Sequence, residues 1–180
     1  MFKVLKNGKM PTRGSRYSAA VDLYSSEDVV IGVGETVMVG LGVCIDLQKS
    51  IMSVYEETAF SIKRNVKSHN LRFPSEWTKF LNSYYLQLML RSSLGKKGLI
   101  IPNGVGVIDL DYKDEIKVLI HNPIKFGDVW AIRDMQRVDE LHIKKGDNIA
   151  QITLLEHKSY LMNIESNNER VGGFGSTNKS

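Results

Sequence analysis

Residues 103–122 read NGVGVIDLDYKDEIKVLIHN. Two short runs rich in β-branched residues, Val105 to Ile108 and Ile116 to Ile120, flank a polar stretch holding Asp109, Asp111, Tyr112, Lys113, Asp114 and Glu115. Apolar runs of this length around a polar centre predict two strands joined as a hairpin. In an extended segment Asp109 and Asp111 would share a face, because side chains alternate with period two. Paired carboxylates can activate water or organise a metal. Asp and Gly also make ordinary solvated turns, and the segment by itself leaves both readings open.

Working outward, the same signal recurs. Val29 to Ile31, Thr36 to Leu47 with alternating apolar residues, Leu86 to Leu90 and Ile149 to Leu155 all read as short strands, punctuated by Gly32, Gly34, Gly42, Gly95, Gly98, Gly104, Gly106 and Gly146. Many short strands with glycine turns predict an all-β antiparallel barrel or sandwich. One stretch differs. From Lys49 to Leu81, Ile51, Tyr55, Ala59, Ile62 and Val66 recur at helical spacing, Ser53 and Glu56 fit a capping box, and Ser75 follows Pro74 as the cap of a second short helix. The expectation is a helical insertion over 48–84 within one domain spanning 1–180. The tail, 168–180, is rich in Gly, Ser and Asn and reads as flexible.

Composition sets outer bounds. A chain of 180 residues with 42% hydrophobic content is long enough for a real core. No window approaches a membrane span and the first residues carry no leader-like apolar run, which predicts a cytoplasmic protein without membrane contact. The single cysteine, Cys44, lies in an apolar alternating stretch and reads as a small buried hydrophobe. The formal charge is +4, but between Gln48 and Tyr84 six basic residues face three acidic ones, so most of the excess sits in one place. That distribution gives no strong nucleic-acid signal; a cluster such as Lys63, Arg64, Lys67, His69 and Arg72 reads as a solvated helix face or as a surface for a protein partner. The four histidines show no metal-ligand spacing.

Two further segments carry chemistry. Arg91-Ser92-Ser93-Leu94-Gly95 ends an apolar strand with a cation, hydroxyls and a flexible backbone, the groups a phosphate needs. Arg170 with Gly172-Gly173-Phe174-Gly175-Ser176-Thr177 sets an arginine and hydroxyls around an aromatic ring. Each is also common loop material.

In order along the chain, these segments resemble the five motifs of the trimeric dUTPase family. Ala19-Ala20-Val21-Asp22-Leu23 is similar to the first, Arg91 to Leu94 to the second, and Gly106 to Tyr112 to the third. Gly146-Asp147-Asn148-Ile149-Ala150-Gln151 is similar to the fourth, and Arg170 with Gly172 to Thr177 to the fifth. The resemblance implies a distorted jelly-roll (β-clip) fold, a homotrimer with shared active sites, and Mg²⁺-dependent hydrolysis of dUTP to dUMP and pyrophosphate. It implies roles too. Asp109 would be the general base, Asp22 would help organise the metal-bound water or a nearby arginine, and Gln151 would brace the α-phosphate. Asn103, with backbone groups of Gly106 and Ile108, would read uracil. Tyr112 would lie against the deoxyribose and Lys113 would complete the contacts of the hairpin. Arg91, Ser92, Ser93 and Gly95 would hold the phosphates; Phe174 would stack on the base; Arg170, Gly175, Ser176 and Thr177 would close over the γ-phosphate from a neighbouring subunit. A helical insertion of this kind resembles those of some phage or viral members.

The match departs from the family pattern at several positions. Ala20 and Asp114 stand where glycine is usual, Asn148 replaces an arginine, and Asn178 stands where a final glycine is typical. Pro123 to Glu140 is longer than usual. A related activity, dCTP deamination, shares the fold and an Arg-Ser-Ser segment, but its catalytic glutamate would align with Leu119, which cannot shuttle protons. A regulatory module that uses the 48–84 insertion to bind a protein or nucleic acid is the other alternative.

Overall fold

The computed structural model describes residues 1–47, 80–123, 140–162 and 164. Eleven strands run through them: β1 (Phe2–Val4), β2 (Thr12–Arg13), β3 (Val21–Tyr24), β4 (Val29–Ile31), β5 (Thr36–Gly40), β6 (Val43–Ile45), β7 (Tyr84–Leu90), β8 (Gly106–Asp109), β9 (Lys117–His121), β10 (Leu141–Ile143) and β11 (Asn148–Glu156). One helical turn, α1 (Ser92–Gly95), follows β7, and a 3-10 turn spans Ser159–Met162. The strands form a five-stranded sheet, β2-β3-β11-β7-β8, and three ribbons, β1-β6, β4-β10 and β5-β9. Every pairing among these strands is antiparallel.

The core follows from alternation. On β7, Leu86 and Leu88 point inward and lie opposite Leu154 and Ile152 of β11, and Leu86, Leu88 and Ile152 are buried. Leu23 and Ile149 of the same sheet join them, and Ile31, Val39, Leu41, Val43, Ile116, Val118 and Ile120 meet them from the ribbons and connections. Each such aliphatic side chain contributes about 1.5–3 kcal/mol on burial. The opposite face of the five-stranded sheet carries a different set. Gln151 is paired with Asp22 and Met89, Thr153 with Gln87, and Tyr85 with Asp109, and cross-strand partners share a face. Asp22, Gln151 and Asp109 therefore all belong to the face of one sheet that is turned away from the apolar core.

The all-β expectation holds, and both strands expected around Asp109 form with ends shifted by a residue, but they are not a hairpin: β8 pairs with β7 and β9 with β5, because each finds its apolar partner in a distant strand rather than across the polar turn. The single strand expected from Thr36 to Leu47 is instead two, broken at Leu41-Gly42. Here the chain leaves its partner β9 and joins β1, turning a corner between two ribbons. Gly42 adopts φ +62°, and Gly8 packs so closely that a Cβ on Gly8 would lie 1.8 Å from the Gly42 carbonyl oxygen. Glu115 seals the corner: its Oε1 accepts the Gly42 N–H at 2.8 Å and the Ser26 hydroxyl at 3.3 Å. Strands β1, β2, β3 and β10 went unread because two to four residues without a continuous apolar run show no clear signal; their long-range partners create them. Cys44 is buried and unpaired, as expected. The helices expected between Lys49 and Leu81 lie almost wholly outside the described residues, as do most of Pro123 to Glu140 and the tail 168–180.

Replacing Gly42 with alanine combines a left-handed backbone with a Cβ 2.2 Å from the Gly8 Cα. Equilibrium urea unfolding should show a loss of about 3 kcal/mol for Gly42→Ala, at the upper end of ordinary single-residue effects.

Candidate active site

One group of side chains assembles on β11 and its two neighbours. Gln151 Nε2 donates to Asp22 Oδ1 at 2.9 Å, and Arg91 Nη1 lies 3.6 Å from Asp22 Oδ2. The ladder makes this contact: β3 and β7 both pair with β11, and the Arg91 N–H continues the β7 pairing by donating to the Ile149 carbonyl at 3.0 Å. Three segments separated by up to 129 residues are thereby brought to one point. Asp22 is only 7% exposed. Burial by itself would raise its carboxyl pKa, but the side-chain amides of Gln151 and Asn148 and the Arg91 charge outweigh that, and the group titrates below its ordinary value.

The helical turn α1 stands at the end of β7. Arg91 precedes it in extended conformation, buried Leu94 anchors it, and Ser92, Ser93 and Gly95 are exposed. First-turn N–H groups such as those of Ser92 and Ser93 have no carbonyl of their own helix to bond to. The exposed Ser92 and Ser93 thus follow Arg91 directly in a turn whose first amides are free of helical partners, a donor-rich segment suited to an anion.

A second group surrounds a cleft of about 200 Å³ whose walls include Asn103, Gly106, Ile108 and Tyr112, with Leu88, Ile101 and Leu119. Among the described residues strand β8 is the edge of its sheet, so its alternate N–H and C=O groups on the side away from β7 meet no further described strand. Gly106 is required for β8 to approach β7: a Cβ there would lie 2.9 Å from the Leu88 Cβ. Asn103 Nδ2 donates to the Val105 carbonyl at 3.2 Å, which fixes its side chain on its own loop. Tyr112 is buried, with its hydroxyl donating to the Glu115 carbonyl at 3.2 Å. Its N–H donates to the Asp109 carbonyl at 3.1 Å, closing the turn that joins the aromatic ring to the carboxylate. Asp109 is exposed, as is Lys113.

The expected shared face of Asp109 and Asp111 does not form. Strand β8 ends at Asp109 and Asp111 lies in the turn, so the period of two stops before reaching it. The two groups are also apart within one chain. Asp109 pairs with Tyr85, near one end of β7, and Arg91 follows the other end, so at about 3.3 Å per residue they are separated by about 20 Å along the strand. Arg170, Phe174, Gly175, Ser176 and Thr177 lie outside the described residues. Among the described residues no three His, Cys, Asp or Glu side chains gather as a metal cage. Two participants were not anticipated from sequence. Asn148 faces the Asp22 carboxylate, and Leu119, noted only as a residue without acid chemistry, forms a wall of the cleft.

The comparisons with known proteins converge. The family model described as dUTPase matches residues 6–55 and 60–178. The deoxyuridine 5'-triphosphate nucleotidohydrolase of Nautilia profundicola is 28% identical, covering 98% of this chain and 96% of that protein; that of Debaryomyces hansenii is 30% identical, covering 100% and 87%. Among solved structures, the Staphylococcus bacteriophage 80alpha dUTPase superposes with a TM-score of 0.59 at 20% identity, covering 98% of this chain and 97% of that one. The dUTPase of phage phi11 of S. aureus, described as having a species-specific insert, gives 0.56 at 18% identity over 98% and 97%. The fold is the distorted jelly-roll of nucleotide-hydrolysing dUTPases. The chain belongs to the dUTPase family, and its reaction is hydrolysis of dUTP to dUMP and pyrophosphate. No helix among the described residues is long and apolar enough to cross a membrane.

The lowered Asp22 pKa has a stability consequence. A carboxyl that titrates lower when folded contributes stability in full above its unfolded value of 3.8, and loses it as pH falls through the folded value. Urea unfolding of Asp22→Asn should therefore lack part of the acid-side loss below pH 3.8 that the unmodified protein shows. Parallel curves for the two proteins would contradict the assignment.

Proposed function

We propose that Asp109 is the general base of this hydrolysis. It orients a water molecule and takes its proton while the water oxygen attacks the α-phosphorus in line. The bond from that phosphorus to the α,β-bridging oxygen breaks, and pyrophosphate leaves with the bonding pair. What carries the reading is the cleft that gathers Asn103, Gly106, Ile108 and Tyr112, with the tyrosine hydrogen-bonded through its backbone to Asp109. Asn103 and the open edge of β8 pair with the uracil, and cytosine would meet donors with a donor. The Tyr112 ring packs against the deoxyribose, leaving no space for a 2′-hydroxyl, and Lys113 supports the nucleotide from the same connection between β8 and β9.

At the other end, Arg91, the Ser92 hydroxyl and the amides near Ser93 and Gly95 hold the phosphates, stabilising charge that develops on the leaving group. Gln151 braces the α-phosphate. The donor set around Asp22 fits a Mg²⁺ ion carried mainly by triphosphate oxygens and water: Asp22 is already bonded to Gln151 and Arg91 and serves the ion indirectly. When bound, Mg²⁺ would offset phosphate charge. The tail then closes, Phe174 stacking on the base and Arg170, Gly175, Ser176 and Thr177 holding the γ-phosphate. Because Asp109 and Arg91 are about 20 Å apart along β7 in one chain, the site is shared between subunits, in a homotrimer whose third chain donates the tail. The basic stretch 48–84 serves as a contact for a protein partner, favoured by the charge excess confined there.

Pyrophosphate release should be robust with dUTP and negligible with UTP, dCTP and dTTP. Asp109→Asn should lower kcat by about a thousandfold or more with nucleotide binding retained. Mixing Asp109→Asn with Arg91→Ala, each inactive alone, should restore activity through hybrid assemblies; mixtures that stay inactive after subunit exchange would refute shared sites. For the 48–84 stretch, deletion of residues 50–80 should abolish binding of the partner while dUTP turnover persists, and loss of neither would dismiss that contact.

A further inference from the structure

Strand β11 contains an irregularity where it enters the sheet. Asn148 is paired with Tyr24 and Gln151 with Asp22, yet Ala150 is paired with Leu23. Three residues of β11 from Asn148 to Ala150 thus oppose two of β3, a β-bulge in which Ile149 is the extra residue. In a regular strand, residues three apart point to opposite faces. The extra residue cancels that, so Asn148 and Gln151 both face Asp22. Buried Ile149 anchors the bulge in the core, and its carbonyl accepts the Arg91 N–H. The Asn148 side chain is held here at a cost: its Nδ2 end faces the Asp22 carboxylate, while its Oδ1 is sealed from solvent and accepts no hydrogen bond. An orphaned buried acceptor is unfavourable, so its retention calls for a compensating use of the amide.

We propose that Asn148 is a positioning residue for dUTP hydrolysis: with Gln151, it clamps the Asp22 carboxylate so that Asp22 holds the Arg91 guanidinium beside the exposed hydroxyls of Ser92 and Ser93. The clamp uses neutral donors where a second cation would compete with Arg91 for the same carboxylate. Arg91 is then the cation that Asp22 holds, at 3.6 Å and with a third of its side chain open to solvent. Asn148 touches no substrate in this account and acts through Asp22.

The inference rests on the assignment of Asp22 and Arg91 to the phosphate end of the site, and a double-mutant cycle separates the two. Steady-state kinetics with dUTP and thermal unfolding would be measured for Asn148→Ala, Asp22→Asn and the double variant. Asn148→Ala removes the orphaned carbonyl together with the clamp, so the melting temperature should hold or rise. Meanwhile kcat/KM should fall roughly tenfold, mostly through KM, as expected for a loosened phosphate grip. In the double variant the loss should equal that of Asp22→Asn alone. Asn148→Gln, which restores neutral amide donors on the same face, should recover part of the loss. If the two losses multiply, or if activity falls only in proportion to thermal stability, the positioning role is wrong. If Asp22→Asn itself leaves kcat/KM unchanged, the assignment of the phosphate end fails instead.

Discussion

Gln151 meets Asp22 because the nine-residue strand Asn148–Glu156 is hydrogen-bonded on both edges, to Val21–Tyr24 and to Tyr84–Leu90. That double pairing is the constraint from which the phosphate end of the site follows. A slip of one residue would turn Gln151 inward and present Ile152 to the outer face, exposing core while burying an amide. The apolar partners Leu86, Leu88, Ala150 and Ile152 therefore guard the register, and the polar contact between Gln151 and Asp22 is inherited from it. A buried carboxylate at this position is tolerable because amides and a guanidinium surround it; without them its desolvation would outweigh any packing gain.

The other consequence of the sheet is separation. Strand β7 carries the Asp109 turn alongside its first residues and meets the proposed base cleft at Leu88, and it delivers Arg91 and the α1 turn at its last. A triphosphate nucleotide needs both kinds of surface, an edge of backbone donors and acceptors for the base and a cationic, hydroxyl-rich turn for phosphate. A rigid strand of seven residues holds them apart with little freedom to bend. In the proposed reading, assembly of several chains would resolve the mismatch, since a neighbour's phosphate surface could lie where the chain's own does not. On this account the fold excludes catalysis by a lone subunit through geometry rather than through instability.

Much of this was legible in the amino-acid order. The two strands flanking Asp109, the strand before Arg91 and the strand through Gln151 are apolar runs with clear boundaries, and their ordered motifs indicated the chemistry; that the first two pair with β7 and β5 rather than with each other was not legible. What could not be read depends on contacts between distant residues. The corner at Gly42 looks like one continuous alternating strand until Gly8 and Glu115 are seen to close on it. The Asp109 and Asp111 pairing failed because a turn interrupted the period. The bulge at Ile149 leaves no local mark: GDNIAQ reads as a turn and a strand, and only the register against β3 reveals that Asn148 joins Gln151 on the same face.

The central claim is that base and phosphate are held by different chains. A crystal structure with a non-hydrolysable dUTP analogue tests it most directly. The account predicts uracil in the cleft beside Asn103 and Tyr112 of one subunit, with the phosphates against Arg91 and Ser92 of the next. A nucleotide held at both ends by the same chain would contradict it.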